Sequence, residues 1–300
     1  MTTERAIPLE ALNAGLREKP GLLSRLGDLA KRKPLGAVSL LLILLMVFLA
    51  IFADVVAPHD PLQMYGRAVM KPTSAEFPLG TDNFGRDMLS RIIFGSRISI
   101  FVGISSISMA MLIGVTLGMT CAYVEGRVDI YVQRLMDALD AFPGLVLALA
   151  ILAALGSGLT NVIMAIAISQ IPRNNRVVRG SVLSEKRNMY VEASRAMGCG
   201  HLRIMWLHIF PNVTAPLIIL AATELGAAIL AEASLSFLGV GVPPPNPSWG
   251  GMLSGPHRTY MLAAPWMAIF PGVAISLAVL GWNLLGDALR DIWDPRLRAR

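Results

Sequence analysis

The sequence predicts an all-α, polytopic membrane protein with six transmembrane helices and both termini in the cytoplasm. Hydrophobic residues make up 54% of the 300 residues. Charged residues make up 15%, below the share of about a quarter that is usual in soluble proteins. A soluble domain of this length could not bury so much apolar surface. The charges cluster at residues 1–34, 173–203 and 287–300, and long apolar runs separate the clusters, as expected for membrane helices.

The first apolar run covers residues 35–53 and follows Lys31-Arg32-Lys33. As a helix it is about 30 Å long, enough to cross the hydrocarbon core, and we bound this first transmembrane helix at residues 35–56. The basic flank places the amino-terminal tail, residues 1–34, in the cytoplasm. Residues 57–97 are polar and contain four prolines, which predicts an outer segment that ends in a short interfacial helix.

Residues 98–286 form the predicted core, with five further spans. These spans are residues 98–122, 128–155, 159–171, 215–231 and 264–285. The first of them contains Gly114-x-x-x-Gly118, a spacing that permits close helix packing. The span that begins at residue 159 could continue past Pro172 as a kinked helix. Residues 287–300 then form a cytoplasmic tail.

The distribution of Lys and Arg supports this topology. Seven lie in the amino-terminal tail, seven between residues 173 and 203, and four after residue 285. Basic residues concentrate on the cytoplasmic side of membrane proteins. The outer segment before residue 98 also carries five and is the weakest point of the assignment. We therefore attribute the net charge of +6 to cytoplasmic loops in contact with membrane lipid, and expect no nucleic-acid partner.

Charged residues near the start of the third helix are Arg134, Asp137 and Asp140. Such residues are tolerated near a membrane surface, where they can pair at three-residue spacing or meet water. An interfacial helix end and a functional cluster both fit this pattern.

No catalytic or cofactor-binding motif is present. None of the five lysines follows a glycine, so the phosphate-binding G-x-x-x-x-G-K-[ST] loop is absent from the sequence. The two cysteines lie far apart and the four histidines are scattered, a distribution that predicts no metal site. We therefore expect a chain that is not an enzyme and holds no cofactor, so any concentrative transport needs an energy source elsewhere.

The most informative stretch is the cytoplasmic loop at residues 180–212. Residues 191–197 are mostly small or charged and are compatible with a helix, which Gly198 and Gly200 then end. A short, glycine-ended helix of this kind can dock in a groove of another protein. From local composition alone, an ordinary connecting loop remains an alternative.

This loop resembles the E-A-A-x-x-x-G signature of ABC-importer permeases, in which it forms a coupling helix that sits in a cleft of the ATPase subunit. Ser194 replaces the second alanine of the signature, and His208 and Phe210 differ from its general pattern. The resemblance assigns ATPase coupling to Glu192, Ala193, Ser194, Arg195, Gly198 and Pro211.

The resemblance extends over residues 35–298 and is to the C-type subunit of the dipeptide, oligopeptide and nickel permeases. The segments that carry it are Leu79-Gly80-Thr81-Asp82, Gly85-Arg86-Asp87, Arg134-Leu135-Met136-Asp137, Phe142-Pro143, Ser236-Phe237-Leu238-Gly239, Trp249-Gly250, Asn283-Leu284-Leu285-Gly286-Asp287 and Asp294-Pro295-Arg296-Leu297.

This resemblance implies a binding-protein-dependent importer in a bacterial cytoplasmic membrane. The expected partners are a homologous permease subunit, two ABC ATPase subunits that bind ATP and Mg, an extracytoplasmic solute-binding protein, and a peptide or peptide-like substrate. Nickel complexes, glutathione and opine-like conjugates are alternative cargoes of the same architecture. A stand-alone secondary transporter, which predicts inverted repeats and several mid-membrane charges, and a membrane enzyme are the competing classes.

Glu224 departs from the family pattern, in which a small or apolar residue occupies this mid-span position. A charged residue at a bilayer centre costs roughly 2.5–3.5 kcal/mol, so it is usually paired or faces water. We hypothesise that Glu224 faces the translocation path and meets a cationic group such as a peptide amino terminus. Protonation, or a structural bond to the sister permease, remains open. Glu232 matches the family and is expected to be structural.

Overall fold

A computed structural model describes residues 34–255, 259–260 and 262–293. The helices are α1 Pro34–Ile51, α2 Ala53–Val56, α3 Met88–Val124, α4 Gly126–Asp140, α5 Gly144–Leu155, α6 Leu159–Glu185, α7 Met189–Ala196, α8 His201–Arg203, α9 Phe210–Phe237 and α10 Trp266–Trp293. A π-helical turn, Ile204–Ile209, joins α8 to α9. The predicted all-α class is confirmed. The predicted amino-terminal tail up to residue 33, Arg258 and residues 294–300 lie outside the described residues.

Four segments of the described chain are long and apolar enough to cross a membrane: α1, α3, α10, and the continuous helix His201–Phe237 that includes α9. Helices α4 and α5 meet this test only together, and they bend by 90° where they join. The predicted fourth span, α6, does continue past Pro172, but its second half is basic. The structure therefore supports four or five spans, and the count of six stays a prediction.

The start of α3 differs from expectation. The interfacial helix and the span at residues 98–122 are one helix of 37 residues. The carboxylate of Asp87 caps it by accepting hydrogen bonds from the Ser90 amide at 2.9 Å and the Ser90 hydroxyl at 2.6 Å. Because no proline follows this cap before residue 98, the helix continues into the membrane without a break.

The prediction of one continuous helix over residues 128–155 is also wrong, because the chain forms two helices there, α4 and α5. Pro143 precedes α5 directly. Proline supplies no amide hydrogen and disfavours helical geometry in the residue before it. The break therefore follows from Pro143, and it lets the charged helix α4 lie at a right angle to the apolar helix α5.

The outer segment folds back onto the ends of α3 and α10. The indole nitrogen of Trp266 donates to the Thr81 carbonyl at 3.0 Å. The buried pair of Asp82 and Arg86 is joined at 2.7 Å. Arg97 donates to the Ala50 carbonyl at 2.6 Å, which holds the end of α1 against α3.

Helices α3 and α6 pack closely at the glycine pair noted in the sequence. A Cβ atom on Gly114 would lie 2.6 Å from Cβ of Asn174, and one on Gly118 would lie 2.7 Å from the Asn175 carbonyl oxygen. Both asparagines are buried. Close packing at this pair is confirmed, with α6 as the partner, and any larger side chain would push the two helices apart.

We predict that Gly118→Ala destabilises the chain by about 1–3 kcal/mol, because the added methyl group overpacks the contact with α6. Gly180→Ala is the matched control, since Gly180 is exposed on α6 and nothing lies within 4 Å of its added Cβ. Thermal unfolding in detergent should show a lower midpoint for Gly118→Ala and an unchanged or higher one for the control. Equal midpoints for the two variants would contradict close packing here.

Candidate functional site

The predicted docking helix is α7, and it has a buried and an exposed side. Val191 and Ser194 face inward and are buried, and the Ser194 hydroxyl donates to the Tyr190 carbonyl at 2.8 Å. The exposed side carries Glu192, Ala193 and Arg195. A residue as small as alanine or serine therefore fits at position 194, which explains why the substitution in the signature is tolerated.

Gly198 ends α7 as the sequence predicts. Its φ is +79°, a conformation that costs other residues about 1–2 kcal/mol. The amide of Gly198 donates to the Arg195 carbonyl at 2.9 Å, and the amide of Cys199 donates to the Ser194 carbonyl at 3.1 Å. These two bonds are the Schellman motif. Gly200 instead precedes α8 with an ordinary φ of −65°.

Lys186 fastens the loop to the end of α3. Its ammonium group donates to the Tyr123 carbonyl at 2.7 Å and pairs with the Glu125 carboxylate at 2.7 Å. The last carbonyls of a helix lack partners within the helix and attract cations. The hydrogen bond from Lys186 also lowers the pKa of Glu125, so this carboxylate is charged at neutral pH.

Two tyrosines tie parts of the docking loop to the neighbouring helices. The Tyr123 hydroxyl lies 2.9 Å from Nδ1 of His201, at the start of α8. The Tyr190 hydroxyl donates to Glu185 at 2.7 Å and accepts from the side chain of Asn212 at 3.1 Å. The first contact joins α3 to α8, and the other two join α7 to α6 and α9, so a displacement of α7 would be transmitted to α6 and α9.

The exposed end of the loop also carries apolar side chains that sequence reasoning missed. Met189 begins α7 and Met197 directly follows it, and they are 85% and 76% exposed. Pro211, predicted to belong to the docking loop, is exposed in the first turn of α9. A methionine at each end of a short helix was the available sequence signal, since flexible methionines are frequent at binding surfaces.

Glu224 lies on α9 and is fully buried, with 0% of the residue exposed. Among the described residues no well-aligned hydrogen bond reaches either carboxylate oxygen, although the Asn174 side chain of α6 lies beside the carboxylate. The nearest cation is the guanidinium of Arg173 on α6, whose Nε lies 3.7 Å from Oε1. The sequence does not identify Arg173, because a basic residue in this stretch is equally typical of a cytoplasmic loop.

Arg173 is the first of three arginines that recur every three residues on α6. Arg176 pairs with Asp140 at 3.0 Å and Asp137 at 3.6 Å. Arg179 makes two hydrogen bonds to Asp129, at 2.7 and 2.6 Å. The acidic residues of α4 therefore pair across to α6, and this pairing holds the charged helix α4 against it.

Glu232, eight residues further along α9, is bound differently from Glu224. Its carboxylate accepts hydrogen bonds from Ser99 at 2.9 Å and Ser236 at 2.8 Å. Because Ser99 belongs to α3, this buried carboxylate joins α3 to α9, in keeping with the structural role expected for it.

Two family descriptions match the sequence. Residues 114–299 match the binding-protein-dependent transport system inner membrane component. Residues 30–72 match the N-terminal transmembrane domain of oligopeptide transport permease C. The two matches together cover the coupling loop, α6, α9 and the first span.

Individual proteins are similar over most of their length. The chain is 45% identical to the di/tripeptide transport system permease protein DppC of Pseudomonas aeruginosa, over 86% of this chain and 87% of that protein. It is 43% identical to the glutathione transport system permease protein GsiD of Pectobacterium atrosepticum, over 89% of each. An inward-facing structure of the MetNI methionine ABC transporter aligns with a TM-score of 0.55 and 18% identity, covering 69% of this chain and 98% of that chain. That likeness establishes the fold.

We predict that Gly198→Ala loosens the end of α7, because alanine is strained at this positive φ by about 1–2 kcal/mol. Amide hydrogen exchange of residues 193–199 should become about 5- to 30-fold faster, the factor that corresponds to this free energy. Gly200→Ala is the control, since its φ is −65° and nothing lies within 4 Å of the added Cβ. Equal exchange rates in the two variants would show that the glycine cap is unimportant.

Proposed function

The chain belongs to the family of binding-protein-dependent transport system inner membrane components, and from this premise we propose that it forms the translocation path of an ABC importer for peptides or peptide-like solutes. The proposed assembly contains a homologous permease subunit, two ABC ATPase subunits and an extracytoplasmic solute-binding protein. Its proposed location is the bacterial cytoplasmic membrane, with both termini of this chain in the cytoplasm.

The observation that carries the proposal is that α7 has one buried side and one exposed side. Val191 fixes the helix to a buried apolar cluster that includes residues of α3, α6 and α9. The other side presents a carboxylate, Glu192, between exposed Met189 and Met197. A rigidly held helix with an exposed mixed surface suits docking into a groove of a partner. The residues that we assign to ATPase coupling are Glu192, Ala193, Ser194, Arg195, Gly198 and Pro211.

The proposed source of energy is ATP hydrolysis in the partner subunits. The sequence has no phosphate-binding loop, and among the described residues no group of three or more His, Cys, Asp or Glu could hold a metal ion. We therefore assign ATP and Mg to the ATPases and no catalysis to this chain. ATP drives a conformational change only if it binds the two states with different affinity. The contact of Lys186 with the end of α3, and the contact of Tyr123 at this end with His201, would carry that difference from the docking loop into the membrane.

Peptides are the substrate class that we favour. The relative at 45% identity is named for di- and tripeptides, and its name supports the same class here. Glutathione is a second candidate, because a relative at 43% identity is a glutathione permease. Both cargoes are small peptides with free carboxylates, so the two candidates share the chemistry that the path must accommodate.

We predict that Glu192→Arg lowers co-purification of the ATPase subunits about tenfold or more, because charge reversal at a docking surface removes an attraction and adds a repulsion. Glu76→Arg is the matched control, since it reverses the same charge on an exposed side chain of the outer segment. Affinity purification of the tagged chain, with the ATPases quantified, provides the measurement. Retention of the ATPases by Glu192→Arg at the level of the control would contradict docking through α7.

A further inference from the structure

The pair formed by Arg173 and Glu224 lies at the middle of α9, which belongs to a candidate membrane span. Glu224 is at the midpoint of α9, so it is about 20 Å from either end of this helix. Arg173 must lie at a similar depth, since its Nε is 3.7 Å from the Glu224 carboxylate.

Arg173 is nevertheless 59% exposed in the described chain. A cation that faces lipid at the centre of a bilayer is costly, and ionisable residues there almost always face water or other protein. The open side of α6 at Arg173 is therefore covered by water or by a polar partner, and not by acyl chains.

Arg173 is bound less completely than the two arginines that follow it on α6. Arg176 and Arg179 each have a carboxylate oxygen within 3.0 Å. The carboxylate beside Arg173 is beyond hydrogen-bond distance, and within the described residues the Arg173 guanidinium makes no hydrogen bond to another side chain. Its donors are therefore available to a further acceptor.

We propose that Arg173 binds the carboxylate of a solute as it crosses the membrane, and that Glu224 positions Arg173 for this contact. The inference rests on the proposed function and adds the chemical group that the path recognises. A guanidinium presents donors in a planar fork that matches a carboxylate. The buried carboxylate of Glu224 attracts the Nε side of Arg173, whose side chain remains 59% exposed. The negative charge of Glu224 also partly neutralises the positive charge of Arg173. The solute is therefore held weakly enough to leave, as conduction requires.

The test measures uptake by proteoliposomes that contain the complete transporter. The probes are dialanine, trialanine and glutathione, each with a free or an amidated carboxyl terminus. The binding protein is the same in every assay, so its own preference cancels when a variant is compared with the wild type. We expect Arg173→Gln to lower the ratio of free-acid to amide uptake about tenfold, the effect of losing a hydrogen-bonded contact to a charged group. Arg173→Lys should restore part of this ratio.

Two further variants separate recognition from structure. Arg176→Gln removes the same charge one turn away, where Asp137 and Asp140 already bind it, and should keep the wild-type ratio. Glu224→Gln should change the ratio only while Arg173 is present. The double variant Arg173→Gln, Glu224→Gln should therefore have the same ratio as Arg173→Gln alone. An unchanged ratio in Arg173→Gln, or an equal fall in Arg176→Gln, would overturn the proposal.

Accessibility gives an independent measurement. We expect Arg173→Cys to react with a water-soluble methanethiosulfonate in the assembled transporter, in a background where Cys199 is replaced by alanine, and dialanine to slow the reaction. Lack of reaction, together with loss of the partner permease on purification, would show that Arg173 is an interface contact and contradict the proposal. Failure of the wild type to carry any probe would refute the proposed function as well, whereas normal uptake with an unchanged acid-to-amide ratio would refute this inference alone.

Discussion

The close packing of α6 against α3 is the constraint on which the other features depend. It requires glycine at positions 114 and 118, because a Cβ atom at either would lie within 2.7 Å of an atom of α6. Helix α6 carries Arg173 along its length and ends at Glu185, just before α7. Helix α3 ends at the carbonyls that Lys186 binds. One helix pair therefore connects the proposed docking surface to the proposed solute contact.

Much of the fold could be predicted from the sequence, since long apolar runs have few alternatives in a membrane. The first span was predicted at residues 35–56 and is Pro34–Ile51, followed by the separate short helix Ala53–Val56. The errors occurred where hydropathy is uninformative. The cap at Asp87 starts α3 at Met88, before the predicted span, and Pro143 separates the charged helix α4 from the apolar helix α5. Hydropathy measures composition, whereas these boundaries depend on individual hydrogen bonds and on backbone sterics.

Of the two parts of the candidate site, the docking helix could be predicted from the sequence and the Arg173–Glu224 pair could not. The helix of the docking loop was predicted at residues 191–197 and is Met189–Ala196, because glycine at 198 is a strong local signal. The partner of Glu224 was not predictable in this way. Arg173 and Glu224 are far apart in sequence and meet only through the packing of α6 on α9. The three arginines on α6 are also consistent with a cytoplasmic loop. Only their acidic partners distinguish Arg173 from the other two.

The central claim is that ATP hydrolysed by partner subunits drives a solute through this chain. The most direct test is uptake of dialanine, trialanine and glutathione into proteoliposomes that contain either the complete assembly or this chain with its sister permease alone. The account predicts concentrative uptake only with the ATPases, the binding protein and ATP together. Accumulation of any of these solutes without ATPases and ATP would contradict it, since the permeases would then be an independent transporter.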